Sequence, residues 1–187
     1  MPRDRKDSRA MVIRSYARDS EPLKLIGEAI NVFYTGEVQH DMWSRDCHIL
    51  GFQGLKRWHR IQSEEDRRHR IRLQHMVIDI FGVDLDNEKS ATPRNVTTLN
   101  EYYKEYLDWE IHVYETINMI ANKLVELRYN REAEDILKPL LGVRKEIEKI
   151  RRNIQSAEQV EYDMSYLKIM DKKLHDKCKE KEGDFYD

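Results

Sequence analysis

Three short groupings hold the residues with the most chemistry to offer. Glu37-Val38-Gln39-His40 and Asp66-Arg67-Arg68-His69 each set an acid three residues ahead of a histidine, and Glu110 stands within Asp108-Trp109-Glu110-Ile111-His112. On a helix, residues three or four apart share a face, so each pair can turn a carboxylate and an imidazole toward one point. Such a pair suits two chemistries, ligation of a divalent metal or a buried ion pair. The surrounding stretch Ser63–Arg70 contains no hydrophobic residue, which raises the question of whether its acids face water or the interior.

The elements that position these residues are legible from apolar periodicity. Ser20 is placed to cap a first helix running from Glu21 into the forties, with the line Ile26, Ile30, Phe33 continuing at the same spacing through Glu37 and His40. A break near residues 46–54 leads to a second helix, Leu55 to Phe81, closed by Gly82. Its line of Trp58, Gln62, Asp66, His69, Leu73, Met76 and Ile80 keeps spacings of three and four, so Asp66 and His69 fall on the apolar face. After about sixteen residues without periodicity, Thr98-Leu99-Asn100-Glu101 forms a capping box opening a third helix, whose stripe passes through Tyr103, Leu107, Glu110, Tyr114, Ile117 and Leu124. Asn130 is placed to cap a fourth helix, which Pro139 kinks or restarts because it has no amide to donate. Ser156-Ala157-Glu158-Gln159 offers a further capping box ahead of a final helix, although a continuous stripe through Ala157 equally allows one long helix. Short, long and short connections between four helices predict an all-α four-helix bundle with one long crossover. The expected organisation is a charged N-terminal arm (1–20), the bundle (21–155), and a C-terminal helix with its tail (156–187).

Composition agrees with a helical domain. Of the 187 residues 36% are charged, and only 7 are Gly and 4 Pro, few breakers for a chain of this size. A net charge of -2 excludes a globally basic nucleic-acid binder but allows local basic faces. Cys47 and Cys178 form no paired metal motif and read as free thiols of a reducing compartment. No apolar run approaches a membrane span, and the Arg-rich N-terminus lacks the apolar segment of a secretory signal, so the expected location is cytoplasmic.

The second and third helices resemble the bacterial ferritin and bacterioferritin family. Gly54-Leu55-Lys56-Arg57-Trp58 with Ser63–His69 is similar to the family's second helix, and Asp108–Ile120 to its third. The resemblance implies a ferritin-like fold and a dinuclear iron or manganese centre in the bundle core. On its pattern Asp66 and His69 take the place of the Glu-x-x-His pair, and Glu110 that of the third-helix glutamate. Phe33 stands at the first-helix carboxylate and Gly142-Val143 at the fourth-helix ligand, with Glu146 one turn further on, so about half of the ligand set is present. Antiparallel folding of the first two helices about residue 49 brings Glu37 and His40 level with His59 and Gln62. The expected metal set is therefore Glu37, His40, Asp66, His69 and Glu110, supporting oxygen, peroxide or iron chemistry.

A metal-free arrangement stands beside this one. A buried carboxylate costs several kcal/mol unless paired or bound to metal, and Arg67, Arg68, Arg70 and Arg72 offer counter-charges along the second helix. The alternative function is a metal-free bundle acting as an interaction or assembly subunit. On that reading, basic faces of the second helix and of the fourth (Arg144, Lys145, Lys149, Arg151, Arg152) are available to nucleic acid. Either reading predicts a homo-oligomer or a subunit of a larger assembly, and no membrane.

Overall fold

Residues 20–83, 85 and 91–183 are described in the structure, a computed structural model of the chain. Apart from Ser20, the expected arm of residues 1–20 lies outside the described residues, as does the tail from residue 184. The helices are α1 (Glu21–Ile49), α2 (Gln53–Phe81), α3 (Leu99–Glu126), α4 (Asn130–Leu137), α5 (Leu140–Gln159) and α6 (Met164–Gly183). α1 and α2 form an antiparallel hairpin, α3 packs on α4 and α5, and α6 lies against α2. The fold is a four-helix bundle with one long crossover and an added C-terminal helix, as the stripes predict.

Local chemistry accounts for the boundaries. The α1–α2 turn needs Gly51, whose φ of 80° is in the left-handed region. α2 ends at Gly82 (φ 63°), with the Gly82 amide donating to the Ile78 carbonyl at 2.9 Å. At the start of α3, Thr98 Oγ1 accepts from the Glu101 amide at 3.2 Å, while the Glu101 carboxylate accepts from the amide and hydroxyl of Thr97 at 2.8 and 3.0 Å. The box is formed with its return bond moved back by one residue. Pro139 separates α4 from α5, which together make the bundle's fourth helix.

Two expectations are corrected here. Asn130 is already helical, and Tyr129 holds the cap position. The Ser156 box does not open the last helix, because α5 runs through Gln159. The chain turns at Glu161 and Tyr162, both with positive φ (48° and 57°), and Asp163 caps α6 by accepting from the Tyr166 amide at 2.8 Å. Asp163, with a carboxylate three residues ahead of a free amide, is the better cap.

The interior consists of two apolar clusters. One joins Ile26, Ile30 and Phe33 of α1 to Leu73 and Val77 of α2, Ile117 and Leu124 of α3, and Ile136 of α4. The other joins Trp43, Leu55, Tyr102, Tyr106 and Ile150 to Leu167 of α6. The acid and histidine side chains lie along the seam between them.

Candidate metal centre

α1 and α2 bring two imidazoles together at the seam. His40 Nδ1 lies 2.9 Å from His59 Nδ1, and His59 Nε2 lies 2.8 Å from the Tyr102 hydroxyl. Both histidines are buried, with rings stacked at 5.1 Å and edged by Trp43 and Tyr106. A 2.9 Å contact between ring nitrogens needs one proton, so one ring donates and the other accepts. Burial lowers the His40 pKa to about 3 and holds that of His59 well below the ordinary value, helped by neighbouring His40 and Lys149. Both rings are neutral at ordinary pH.

The other nitrogen of His40 faces two acids. Nε2 lies 3.7 Å from Asp66 Oδ2 and 3.7 Å from Glu110 Oε1. Burial pushes the Asp66 carboxyl well up, with Glu65 and Glu37 adding to it. Glu110 is pushed the same way, by burial first and then by Asp66, Glu146 and Glu65. Asp66 reaches this position because residue 36 of α1 is glycine: a Cβ there would overlap Asp66 Oδ2. Gly36→Ala should therefore displace the acid and strain the α1–α2 contact, lowering stability by about 1–3 kcal/mol. Urea unfolding measures this, and an unchanged midpoint would show that Asp66 does not rest on Gly36.

The five expected site residues separate into two groups. His40, Asp66 and Glu110 converge, whereas Glu37 and His69 are turned to other partners. Glu37 accepts from Arg70 Nε at 2.9 Å, and the Arg70 guanidinium lies 5.9 Å from the Tyr34 ring centroid. His69 packs against Phe33 at 5.3 Å between ring centroids. On α5, Gly142 is exposed with open space around it, while Glu146 reaches the seam, accepting from Tyr106 Oη at 3.0 Å and pairing with Lys149 at 3.3 Å. His59, Tyr102 and Tyr106 are the members that sequence reasoning did not assign. For His59 the signal was its predicted level with His40, and for the tyrosines their place on the apolar side of α3.

The arginines of α2 are largely matched by acids. Arg67 and Arg68 pair with Glu64, Arg70 with Glu37 and Arg72 with Asp135. The other basic face, on α5, has Arg144 paired with Glu148 and Lys149 with Glu146.

In fold, this chain is a ferritin-like bundle. Crystal structures of an open-pore ferritin from the hyperthermophilic archaeon Archaeoglobus fulgidus match it with a TM-score of 0.76 at 15% identity, over 85% of this chain and 98% of that one. A closed form of the Archaeoglobus fulgidus ferritin engineered by site-directed mutagenesis gives 0.75 at 14% identity, over 83% and 96%. A humanized archaeal ferritin gives 0.76 at 14%, with the same coverage. No protein-family model and no curated protein sequence matches the chain. Identities this low speak for the fold alone. Among the described residues, no helix is long and apolar enough to cross a membrane.

The donors can be tested against the metal that such a fold implies. No group of three or more His, Cys, Asp or Glu side chains among the described residues is already arranged to hold an ion. The two 3.7 Å separations exceed the roughly 3.0–3.4 Å between neighbouring donors of an octahedral or tetrahedral ion with bonds of about 2.1 Å. The shortfall is a few tenths of an ångström per side chain. Imidazole with two carboxylates is a sound donor set for a first-row ion. His40 also has its second nitrogen held by His59, the outer contact that ligating histidines normally carry. His40, Asp66 and Glu110 are the donors that face one another, whereas Phe33 packs on His69 and Glu37 pairs with Arg70.

Proposed function

We propose that this ferritin-like protein binds a single divalent ion, iron or manganese, through His40 Nε2, Asp66 and Glu110, in place of the two-ion centre of the full ligand set. The observation that carries this is His40 Nε2 facing both acids while its Nδ1 is anchored. Bound iron or manganese would supply one-electron chemistry toward oxygen or peroxide. The chain supplies the rest. With Nδ1–H of His40 donating to His59, and Nε2–H of His59 donating to Tyr102, the lone pair on His40 Nε2 is left for the ion. Trp43 and Tyr106 pack against the imidazoles and keep water from them. Asp66 and Glu110 release their protons as the ion enters, so affinity rises with pH.

Tag-free protein, stripped of metal and titrated anaerobically with Mn2+ or Fe2+, tests this reading. The expected result is one ion per chain, with affinity falling by more than about 100-fold in His40→Ala and in Glu110→Gln. Uptake below about a fifth of an equivalent after reconstitution, or binding unchanged in both variants, would remove the proposal.

The second reading, a metal-free bundle acting as an assembly subunit, is supported by Phe33, which stands where the resemblance puts the first-helix carboxylate, and by Glu37, whose carboxylate is paired with Arg70. The same titration separates the two. A homo-oligomer or a larger assembly belongs to either.

A further inference from the structure

Away from the seam, a cleft of about 810 Å³ opens where α2, α5 and α6 meet. That volume is within the range of small-molecule sites, about 300–1,000 Å³. Phe52, Leu55, Trp58, Leu167 and Leu174 give it an apolar lining. Its charged lining groups fall into two sets. Asp171 is committed to the backbone, accepting from the amides of Gly54 and Leu55 at 2.9 and 2.8 Å. Lys149 is held by Glu146 and lies 3.4 Å over the Trp58 ring. Arg152, Lys173 and Lys177 are exposed at the edge and form no ion pair among the described residues, against the one acid Asp176.

We propose that this cleft binds an amphipathic anion, a long-chain carboxylate, with its chain along the apolar lining and its head group at Arg152, Lys173 and Lys177. The surplus of positive charge selects an anionic head over a neutral or cationic one. Asp171 and Lys149 already have partners, and an alkyl chain asks for no hydrogen bond from them. The site also touches the seam: Trp58 Nε1 donates to Tyr106 Oη at 3.0 Å, and Tyr106 donates to Glu146. Occupancy should therefore alter Trp58 emission, which supplies a direct readout and is independent of any metal.

The full chain is titrated with dodecanoate, with dodecyltrimethylammonium and with acetate, following tryptophan fluorescence and heat. Saturable binding of one dodecanoate per chain is expected, at least about tenfold tighter than the cation of equal chain length, with no binding of acetate. The double variant Lys173→Glu/Lys177→Glu, altered only at exposed positions, should keep its melting temperature and lose at least about tenfold in affinity. Trp58→Phe should lose most of the emission change while the heat persists. Absence of saturable binding overturns the proposal, whether the cleft is empty or covered by a second copy. So does equal affinity for the two surfactants, or indifference to charge reversal.

Discussion

Asp171→Ala is expected to lower the stability of the bundle by about 3 kcal/mol, a fall in melting temperature of about 6–12 °C for a chain of this size. The carboxylate of Asp171, on α6, accepts from the Gly54 and Leu55 amides in the first turn of α2. These amides belong to a helix start that has no side-chain cap of its own. Removing the carboxylate leaves two buried donors unpaired and deletes a negative charge from the positive end of the α2 dipole. The close approach depends on Gly54, where a Cβ would overlap the Asp171 carbonyl oxygen and come within 2.8 Å of its Oδ1. Gly54→Ala should therefore displace α6 even with the acid intact. Asp171→Asn, which keeps one acceptor, should lose about half as much as the alanine variant. A loss below about 1 kcal/mol for Asp171→Ala, by calorimetry or urea unfolding, would show that α6 does not cap α2 in solution.

The metal-free protein should be most stable between about pH 4 and pH 6.5 and weaken on both sides. Burial holds His40 neutral down to about pH 3 and lowers His59 in the same direction, whereas the unfolded chain protonates both below about pH 6.5. Asp66 and Glu110 are shifted the other way by burial and by neighbouring acids, so they keep protons that the unfolded chain releases above about pH 4. Within the window the histidine protons of His40 and His59 in the unfolded chain offset the acid protons of the folded one, while His69, lowered by burial and by Arg72, tilts the balance so that stability peaks toward the upper edge. Above it the folded state holds the larger number, so stability falls as pH rises, by up to about 2.7 kcal/mol per pH unit while both acids stay protonated. Below it the unfolded state holds more, and stability falls as pH drops. An ion on His40, Asp66 and Glu110 takes the place of the acid protons and should flatten the alkaline arm. Urea titrations across this range, with and without Mn2+, measure both effects. Stability that climbs steadily from about pH 5 to pH 8 without metal would contradict the protonation states assigned to the seam.

Much of this fold could be read from residue order, because its punctuation is local. Thr98 and Glu101, Gly82, and Pro139 each act within one or two turns of chain, and each marks a boundary where it was expected. The pairing of α1 with α2 was also accessible, since a tight turn near residue 49 sets the level at which His40 meets His59. The site was harder to read because its contacts depend on helix rotation and on side chains far apart in sequence. Glu37 and His40 are one helical turn apart, yet Arg70 draws one outward while His59 and Tyr102 anchor the other within. The capping of α2 by Asp171, 117 residues away, had no local signal at all.

The seam has a consequence for alignment. Leucine and isoleucine stripes tolerate a slide of one turn, about 5.4 Å, because one apolar side chain can fill another's place. Imidazole, phenol and carboxyl groups are less forgiving, since a buried group without its partner costs about 1–3 kcal/mol. Moving α1 by one turn against α2 and α3 would separate His40 from His59 and from Glu110 together. The polar band between the two apolar clusters thus works as a key that admits one register of four long helices, whether or not an ion ever enters it.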